Sequence, residues 1–188
     1  MSEAIVASAA HQGPKVNVVP LGASVRRIEI QGFLPAGWAG RLATGLAAQR
    51  ISVVRGWAED RESAGWEAQI DVELPQYTLD LTPATVLLLA SPVPVPLFPP
   101  TDGLELLDFK TAQIDGDLAV EVEAADAQGF LERMLRLFAL HDLSPREMNV
   151  ETSDGMVHDV FRLRGPAGAA PEPQAVAALE AKLQRVKI

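Results

Sequence analysis

The sequence predicts an α+β protein built from two copies of one strand, helix, strand, strand, helix unit. The main observation is an internal repeat: residues 28–52 align with residues 120–144 without a gap, and Gly37 falls on Gly129. Apolar residues match in both segments, first at every second position and then at helical spacing. Because both patterns are kept, we interpret the segments as two copies of one unit. Matched pairs include Ile28 and Val120, Ile30 and Val122, Trp38 and Phe130, Leu42 and Met134, and Leu46 and Phe138.

The second copy shows the predicted order of elements most clearly. LAVEVEA alternates apolar and acidic residues, which predicts a strand with one buried face. The apolar residues of FLERMLRLF then recur at helical spacing and predict a helix that packs on this strand. MNVET and MVHDVFRL predict two strands joined by a tight turn, and QAVAALEAKLQRV predicts a final helix.

The first copy repeats this order. Its predicted elements are a strand at 26–30, a helix at 38–49, a hairpin with strands at 52–58 and 66–74, and a second helix at 82–90. Thr82 followed by Pro83 marks the start of this second helix, because threonine caps a helix and proline favours its first position. Both copies therefore predict the same succession of elements.

The segments outside the repeats predict a connector and edge strands. Residues 91–100 are rich in proline, so they predict an extended connection. LELLDFKTAQI predicts a strand that IDGDL turns into the first strand of the second copy, and we expect this turn to join the two sheets edge to edge. The second copy ends before a last strand forms, and KVNVVPL near the N-terminus is the candidate for an edge strand. The expected division is an N-terminal segment at 1–25, a first unit at 26–114 and a second unit at 115–188.

Composition limits the classes of function. The chain has 188 residues, 48% of them hydrophobic, which predicts a globular protein rather than a disordered or fibrous one. A formal charge of −9 without lysine and arginine clusters argues against nucleic acid as a partner. Prolines interrupt the most apolar stretch, residues 86–98, and the N-terminus lacks the features of a signal peptide. We therefore expect a cytoplasmic protein with no membrane partner. The chain has no cysteine, which excludes disulfides and thiolate metal sites.

The segment DAQGFLERMLRLFALHDLS resembles the Asp-x-x-Gly-x-Leu loop and first helix of the ACT-domain family. REMNVET and HDVFRLRG resemble the second and third strands of that family, and residues 131–163 are similar to the C-terminal ACT segment of bacterial nitrogen-sensing uridylyltransferases. The resemblance implies two ferredoxin-like ACT units of βαββαβ order in tandem, with their antiparallel sheets joined. It also implies a non-catalytic regulatory protein that binds a small effector, expected to be an amino acid, and that forms a homodimer.

In ACT domains, ligands lie between the loop of one unit and the second strand of another. By this resemblance, the expected ligand-binding residues are Asp126, Ala127, Gln128, Gly129, Phe130, Met148 and Asn149. The first copy departs from the family pattern, because Leu34, Pro35 and Ala36 occupy its loop. This loop offers little side-chain polarity, so a ligand site is not expected there.

Two residues of the second copy's loop have both a structural and a functional interpretation. Asp126 could cap the helix that follows, since an acid there pairs with free backbone N–H groups, or it could receive the ammonium group of an amino acid. Gly129 could leave the helix start open for a carboxylate, or it could only allow the helix and the sheet to pack closely. The sequence alone leaves both choices open.

No arrangement of residues predicts catalysis, a metal or a cofactor. His11, His141 and His158 lie in unrelated contexts. His158 and Asp159 are neighbours on a predicted strand, so their side chains point to opposite faces and cannot chelate one ion together. The alternative to effector binding is a structural or interaction module that binds a protein partner without a small ligand. An enzyme on this scaffold is a third hypothesis, for which the sequence offers no catalytic residues.

Overall fold

The computed structural model describes residues 13–76, 80–92 and 103–188. Within these residues the chain forms an α+β fold with one eight-stranded antiparallel sheet and four α-helices. The strands are β1 (Lys15–Pro20), β2 (Val25–Gly32), β3 (Ser52–Asp60), β4 (Trp66–Glu73), β5 (Asp108–Ile114), β6 (Asp117–Ala125), β7 (Ser144–Ser153) and β8 (Met156–Arg164). The helices are α1 (Trp38–Ala48), α2 (Pro83–Ala90), α3 (Phe130–Leu140) and α4 (Pro173–Val186). The strand order across the sheet is β1-β2-β4-β3-β7-β8-β6-β5.

A single apolar core lies between the sheet and the helices. The alternation of β2 and β6 places Ile28 and Val120 on the buried face, where neither side chain is exposed. Leu42 of α1 and Met134 of α3 belong to the same core, so the helical stripes face the sheet. Burial of one such side chain contributes about 1.5 to 3 kcal/mol to stability.

The two copies follow the same backbone course. The helices α1 and α3 each begin one residue after a glycine in the left-handed conformation, with φ and ψ of 75° and 13° at Gly37 and of 75° and 16° at Gly129. A β-bulge interrupts β3 after Val53 and β7 after Pro145, which are aligned residues of the repeat. The gapless sequence alignment therefore corresponds to a repeated backbone, including its local irregularities.

The copies join through β3 and β7, the two central strands of the sheet. These strands pair antiparallel, with Ala58 opposite Met148. The expectation that the turn IDGDL joins the two sheets is wrong, because this turn connects β5 to β6 in a hairpin at the outer edge of the sheet. A tight turn pairs only the two strands that flank it, which here are β5 and β6. The edge strands that remain free to join the two copies are β3 and β7.

The leading strand of each copy lies at an outer edge of the sheet. KVNVVPL contributes β1, which pairs with β2 of the first copy. The corresponding edge of the second copy is β5, which lies within the predicted first unit but pairs with β6. Each copy therefore has the order strand, strand, helix, strand, strand, helix.

The second helix of the first copy begins where the sequence predicts. The side chain of Thr82 accepts the backbone N–H of Thr85 at 3.2 Å, and Pro83 occupies the first helical position. The proline-rich connector lies outside the described residues from position 93 onward. None of the described helices is long and apolar enough to cross a membrane.

Candidate functional site

Two clefts lie at the junction of the copies, in equivalent positions of the repeat. The small cleft lies between the second copy's loop, residues 126–130, and residues 51–54 at the start of β3, and its volume is about 40 Å³. The large cleft lies between residues 34–41, the first copy's loop and the start of α1, and residues 143–146 at the start of β7, and its volume is about 570 Å³. Each cleft therefore takes one wall from each copy.

The small cleft contains the loop that the sequence analysis selected. The predicted ligand residues that line it are Asp126, Ala127, Gln128, Gly129 and Phe130. The side-chain Nε2 of Gln128 donates to the carbonyl oxygen of Ala47 at 3.4 Å, and this hydrogen bond across the junction narrows the cleft. A volume of about 40 Å³ has room for a few water molecules, since one needs roughly 10 to 15 Å³.

The other two predicted ligand residues do not line either cleft. Met148 is buried in the core on the helix side of the sheet, opposite Ala58. Asn149 is exposed on the other side of the sheet, opposite Trp57. The strand that faces the second copy's loop is β3 of the first copy, at residues 51–54, because the junction brings the two copies side by side.

The backbone explains the glycine at the start of α3. Gly129 is the N-cap of the helix, and its φ of 75° is a conformation that side chains with a Cβ rarely adopt. A Cβ at this position would lie 3.4 Å from the Nη1 of Arg133 and 3.6 Å from the Cβ of Ala47, which are ordinary contacts, so close packing is not the reason. Asp126 does not cap α3, which has no side-chain cap; its backbone N–H donates to the carbonyl oxygen of Gly155 at 2.9 Å.

A repeated arginine holds each loop against the helix that follows it. The Nη1 of Arg133 donates to the carbonyl oxygen of Gln128 at 3.0 Å, and the Nη1 of Arg41 donates to that of Ala36 at 2.9 Å. Burial lowers the pKa of both guanidinium groups from its ordinary value. The internal repeat could have revealed that these arginines hold the loops, because Arg41 and Arg133 are identical at matched positions although the loops before them differ.

A buried carboxylate lies in the small cleft. Asp159 of β8 is only 3% exposed and accepts the backbone N–H of Glu151 at 3.2 Å. Burial raises the pKa of Asp159 to about 7, and the bond from Glu151 offsets part of that effect. Its neighbour His158 is exposed on the opposite face, as the alternation predicts. The sequence could have indicated that this carboxylate is buried, because Asp159 alternates with the apolar, core-facing residues of β8. Sequence reasoning considered Asp159 only as a metal ligand.

The large cleft has an aromatic and apolar wall. Trp38 and Trp66 pack edge to face with ring centroids 5.3 Å apart, and Leu34 and Leu135 line the cleft beside them. The indole Nε1 of Trp38 is buried and has no hydrogen-bond acceptor among the described residues. An unpaired buried donor costs free energy, so Trp38 lowers the stability of this wall.

Arginines from the second copy line the other side of the large cleft. Arg164 and Arg146 bond the carboxylate of Asp117 at 2.8 and 3.2 Å, and Arg162 lies 3.4 Å from it. Burial tends to raise the pKa of Asp117, but the bonds from Arg164 and Arg146 outweigh it and hold the pKa below its usual range. Sequence reasoning missed this cluster because its members lie on three different strands.

Smaller side chains explain the larger volume of the large cleft. Ala36 and Gly40 line it, whereas the aligned residues that line the small cleft are the longer Gln128 and Glu132, the second of which lies between the two clefts and lines both. The polar side chains that define the second copy's loop therefore fill space at the junction. The small residues of the first copy's loop leave that space open.

Comparisons with protein-family models, with curated proteins and with solved structures found no match. Within the described ranges, no group of three or more histidine, aspartate or glutamate side chains is arranged to hold a metal ion.

Proposed function

We propose that this chain is a non-catalytic regulatory protein that binds a small effector in the large cleft, between two tandem ferredoxin-like units of the ACT type. The observation that carries the proposal is the cleft itself, with a volume of about 570 Å³ and walls from both copies. Small-molecule sites commonly have volumes of about 300 to 1,000 Å³ and combine apolar walls with a few polar groups. The small cleft, at about 40 Å³, is too small for an amino acid.

The repeated backbone supports the interpretation as two ACT-like units. The left-handed glycines Gly37 and Gly129, the paired bulges of β3 and β7 and the common helix starts all recur in the second copy. In this proposal the junction of β3 and β7 takes the place of the interface between separate units. A ligand that contacts both copies would stabilise one relative position of the two copies. Binding would regulate a partner protein through that change in population.

The proposal moves the expected site from the second copy's loop to the first copy's loop. Asp126 and Gln128 supply the family-like polarity of the second loop, but Gln128 narrows its cleft. The first loop lacks that polarity, and its cleft obtains charged groups from β7 and β8 instead, through Arg146 and Arg164. The alternative, an interaction module without a ligand, is the outcome if the large cleft takes no compound.

A thermal-shift screen tests the proposal. The panel contains the twenty amino acids, common nucleotides and aromatic acids. A compound at a hundredfold excess over its Kd stabilises the folded state by about 2.7 kcal/mol, which raises the melting temperature measurably. Amide-detected NMR of the indole N–H groups then locates each hit, because Trp38 and Trp66 line the large cleft and Trp57 lies on the opposite face of the sheet.

We expect at least one compound that stabilises the protein and shifts the signals of Trp38 and Trp66 but not that of Trp57. A Trp57→Phe variant assigns the control signal. A panel with no stabilising compound, or hits that shift only the signal of Trp57, would overturn effector binding in the large cleft.

A further inference from the structure

We propose that the ligand of the large cleft is an organic anion: a flat apolar body that carries one carboxylate or phosphate group, bound by Arg164 and Arg146. This inference rests on the proposed function and adds the chemical class of the effector. Three features of the large cleft support this ligand class: the arginine cluster, the small number of acidic residues in the lining, and the apolar wall with its aromatic rings.

The first feature is the arginine cluster around Asp117. Three guanidinium groups share this one buried carboxylate, which is only 2% exposed. Arg164 bonds it through Nε, so its two terminal nitrogens keep N–H groups for another acceptor. The side chains of Arg146 and Arg164 are 29% and 27% exposed and line the large cleft, and a carboxylate or phosphate there can accept charge-assisted hydrogen bonds from them.

The second feature is that the two acidic residues lining the large cleft have other partners. Glu132 forms an ion pair with Arg136 on the same helix. Asp60 accepts the backbone N–H of Glu62 at 3.0 Å, and the exposed Glu62 carboxylate, which does not line the large cleft, lies 3.7 Å from Arg146. Arg41, which also lines the large cleft, donates to backbone carbonyl oxygens and forms no ion pair with a carboxylate of the described residues. Four arginines and two acidic residues line the large cleft, so its lining carries a net positive charge in a chain whose formal net charge is −9.

The third feature is the aromatic wall opposite the arginines. The half-buried side chains of Trp66 and Leu34 form an apolar surface on which a flat apolar body can pack, and the buried ring of Trp38 supports Trp66 from behind. An apolar body with an anionic end matches both sides of the large cleft, whereas a neutral apolar molecule leaves the arginines unused.

Titration calorimetry with three probes of one shape tests the ligand class. The probes are 2-naphthoate, 2-naphthyl phosphate and the neutral 2-naphthamide. We expect both anions to bind at least tenfold more tightly than the amide, because guanidinium groups form stronger, charge-assisted hydrogen bonds with a carboxylate or a phosphate than with a neutral amide. The tighter of the two anions distinguishes a carboxylate ligand from a phosphate ligand.

Arg164→Gln tests the residue, with Arg162→Gln as the matched control. Both arginines lie at Asp117, but Arg162 does not line the large cleft. We expect Arg164→Gln to weaken 2-naphthoate binding about tenfold and to leave 2-naphthamide binding unchanged, and Arg162→Gln to change neither. Arg146→Gln provides a second variant with the same expectation if Arg164→Gln folds poorly.

The outcomes separate this inference from the proposed function. Equal binding of the anions and the amide in the large cleft, as located by the Trp38 and Trp66 signals, would overturn the anion preference and keep effector binding. Equal losses for Arg164→Gln and Arg162→Gln would also overturn it, because the effect would then come from the disturbed Asp117 cluster. No binding of any probe or screened compound would overturn both.

Discussion

The small cleft and the large cleft occupy equivalent places in the two copies, yet every charged residue that lines the small cleft is acidic, whereas most of those that line the large cleft are arginines. In the second copy Val122 pairs with Asp159, and in the first copy the matched residue Ile30 pairs with Ala68. The small cleft thus has a buried carboxylate at a position where the first copy has the methyl group of Ala68, which does not line the large cleft. In the bulge of each junction strand, Val54 in the small cleft corresponds to Arg146 in the large cleft.

This comparison shows that backbone and side chains contribute separate properties to a site. The repeated glycines, bulges and arginines place a cleft at each end of the junction, whatever the loop sequence. Four residues, Ala36 and Gly40 against Gln128 and Glu132, then decide how much space remains. A loop that departs from a family motif can therefore form the larger cleft.

The largest expected effect concerns the buried carboxylate of the small cleft. Because the pKa of Asp159 is about 7 when folded and near 4 when unfolded, the folded state binds this proton more tightly. The resulting stability is present below about pH 4 and is lost as the pH rises to about 7. Asp159→Asn should therefore gain on the order of 4 kcal/mol over the wild type at pH 8 and almost nothing at pH 4.

Urea unfolding at both pH values measures this difference. Glu151→Gln is the matched control, since its exposed carboxylate lies in the same cleft. The interpretation of Asp159 fails if Asp159→Asn and Glu151→Gln change stability equally, or if the gain of Asp159→Asn does not depend on pH.

The repeated arginines give the next effect. Arg133→Met should cost about 2 kcal/mol, because hydrogen bonds from a charged group contribute about 1.5 to 3 kcal/mol. Arg41→Met should cost more, since Arg41 also donates to the carbonyl oxygens of Pro35 and Ala90. Thermal unfolding measures both, with the exposed Arg185→Met as the control. Losses no larger than that of Arg185→Met would show that these arginines do not hold the loops.

The helix-start glycines give the smallest effect. Gly37→Ala and Gly129→Ala should each cost about 1 to 2 kcal/mol, because a residue with a Cβ is strained at a φ of 75°. Gly22→Ala is the control, since its φ is not positive and no atom lies within 4 Å of the added Cβ. Denaturant unfolding compares the three variants. A cost at one glycine alone would break the equivalence of the two loops.

The sequence predicted much of the fold because strands and helices follow from local periodicity. The alternation around Val120 and the helical stripe with Met134 are both buried as expected. The junction of β3 and β7 was not predictable in this way, since pairing between distant strands depends on which edges remain free. The cleft volumes depend on side chains such as Gln128, which contacts the other copy. A local sequence pattern does not predict such a contact between distant parts of the chain.

The most direct test of the account fills the large cleft with longer side chains like those of the small one. In the double variant Ala36→Gln/Gly40→Gln, the glutamine introduced at position 36 should reach the carbonyl oxygen of Ala139, as Gln128 reaches that of Ala47. NMR titration with 2-naphthoate compares this variant with the wild type, whose Trp38 and Trp66 indole signals should shift. We expect a folded variant whose signals no longer respond. The same response in the filled variant, or none in the wild type, would contradict the account.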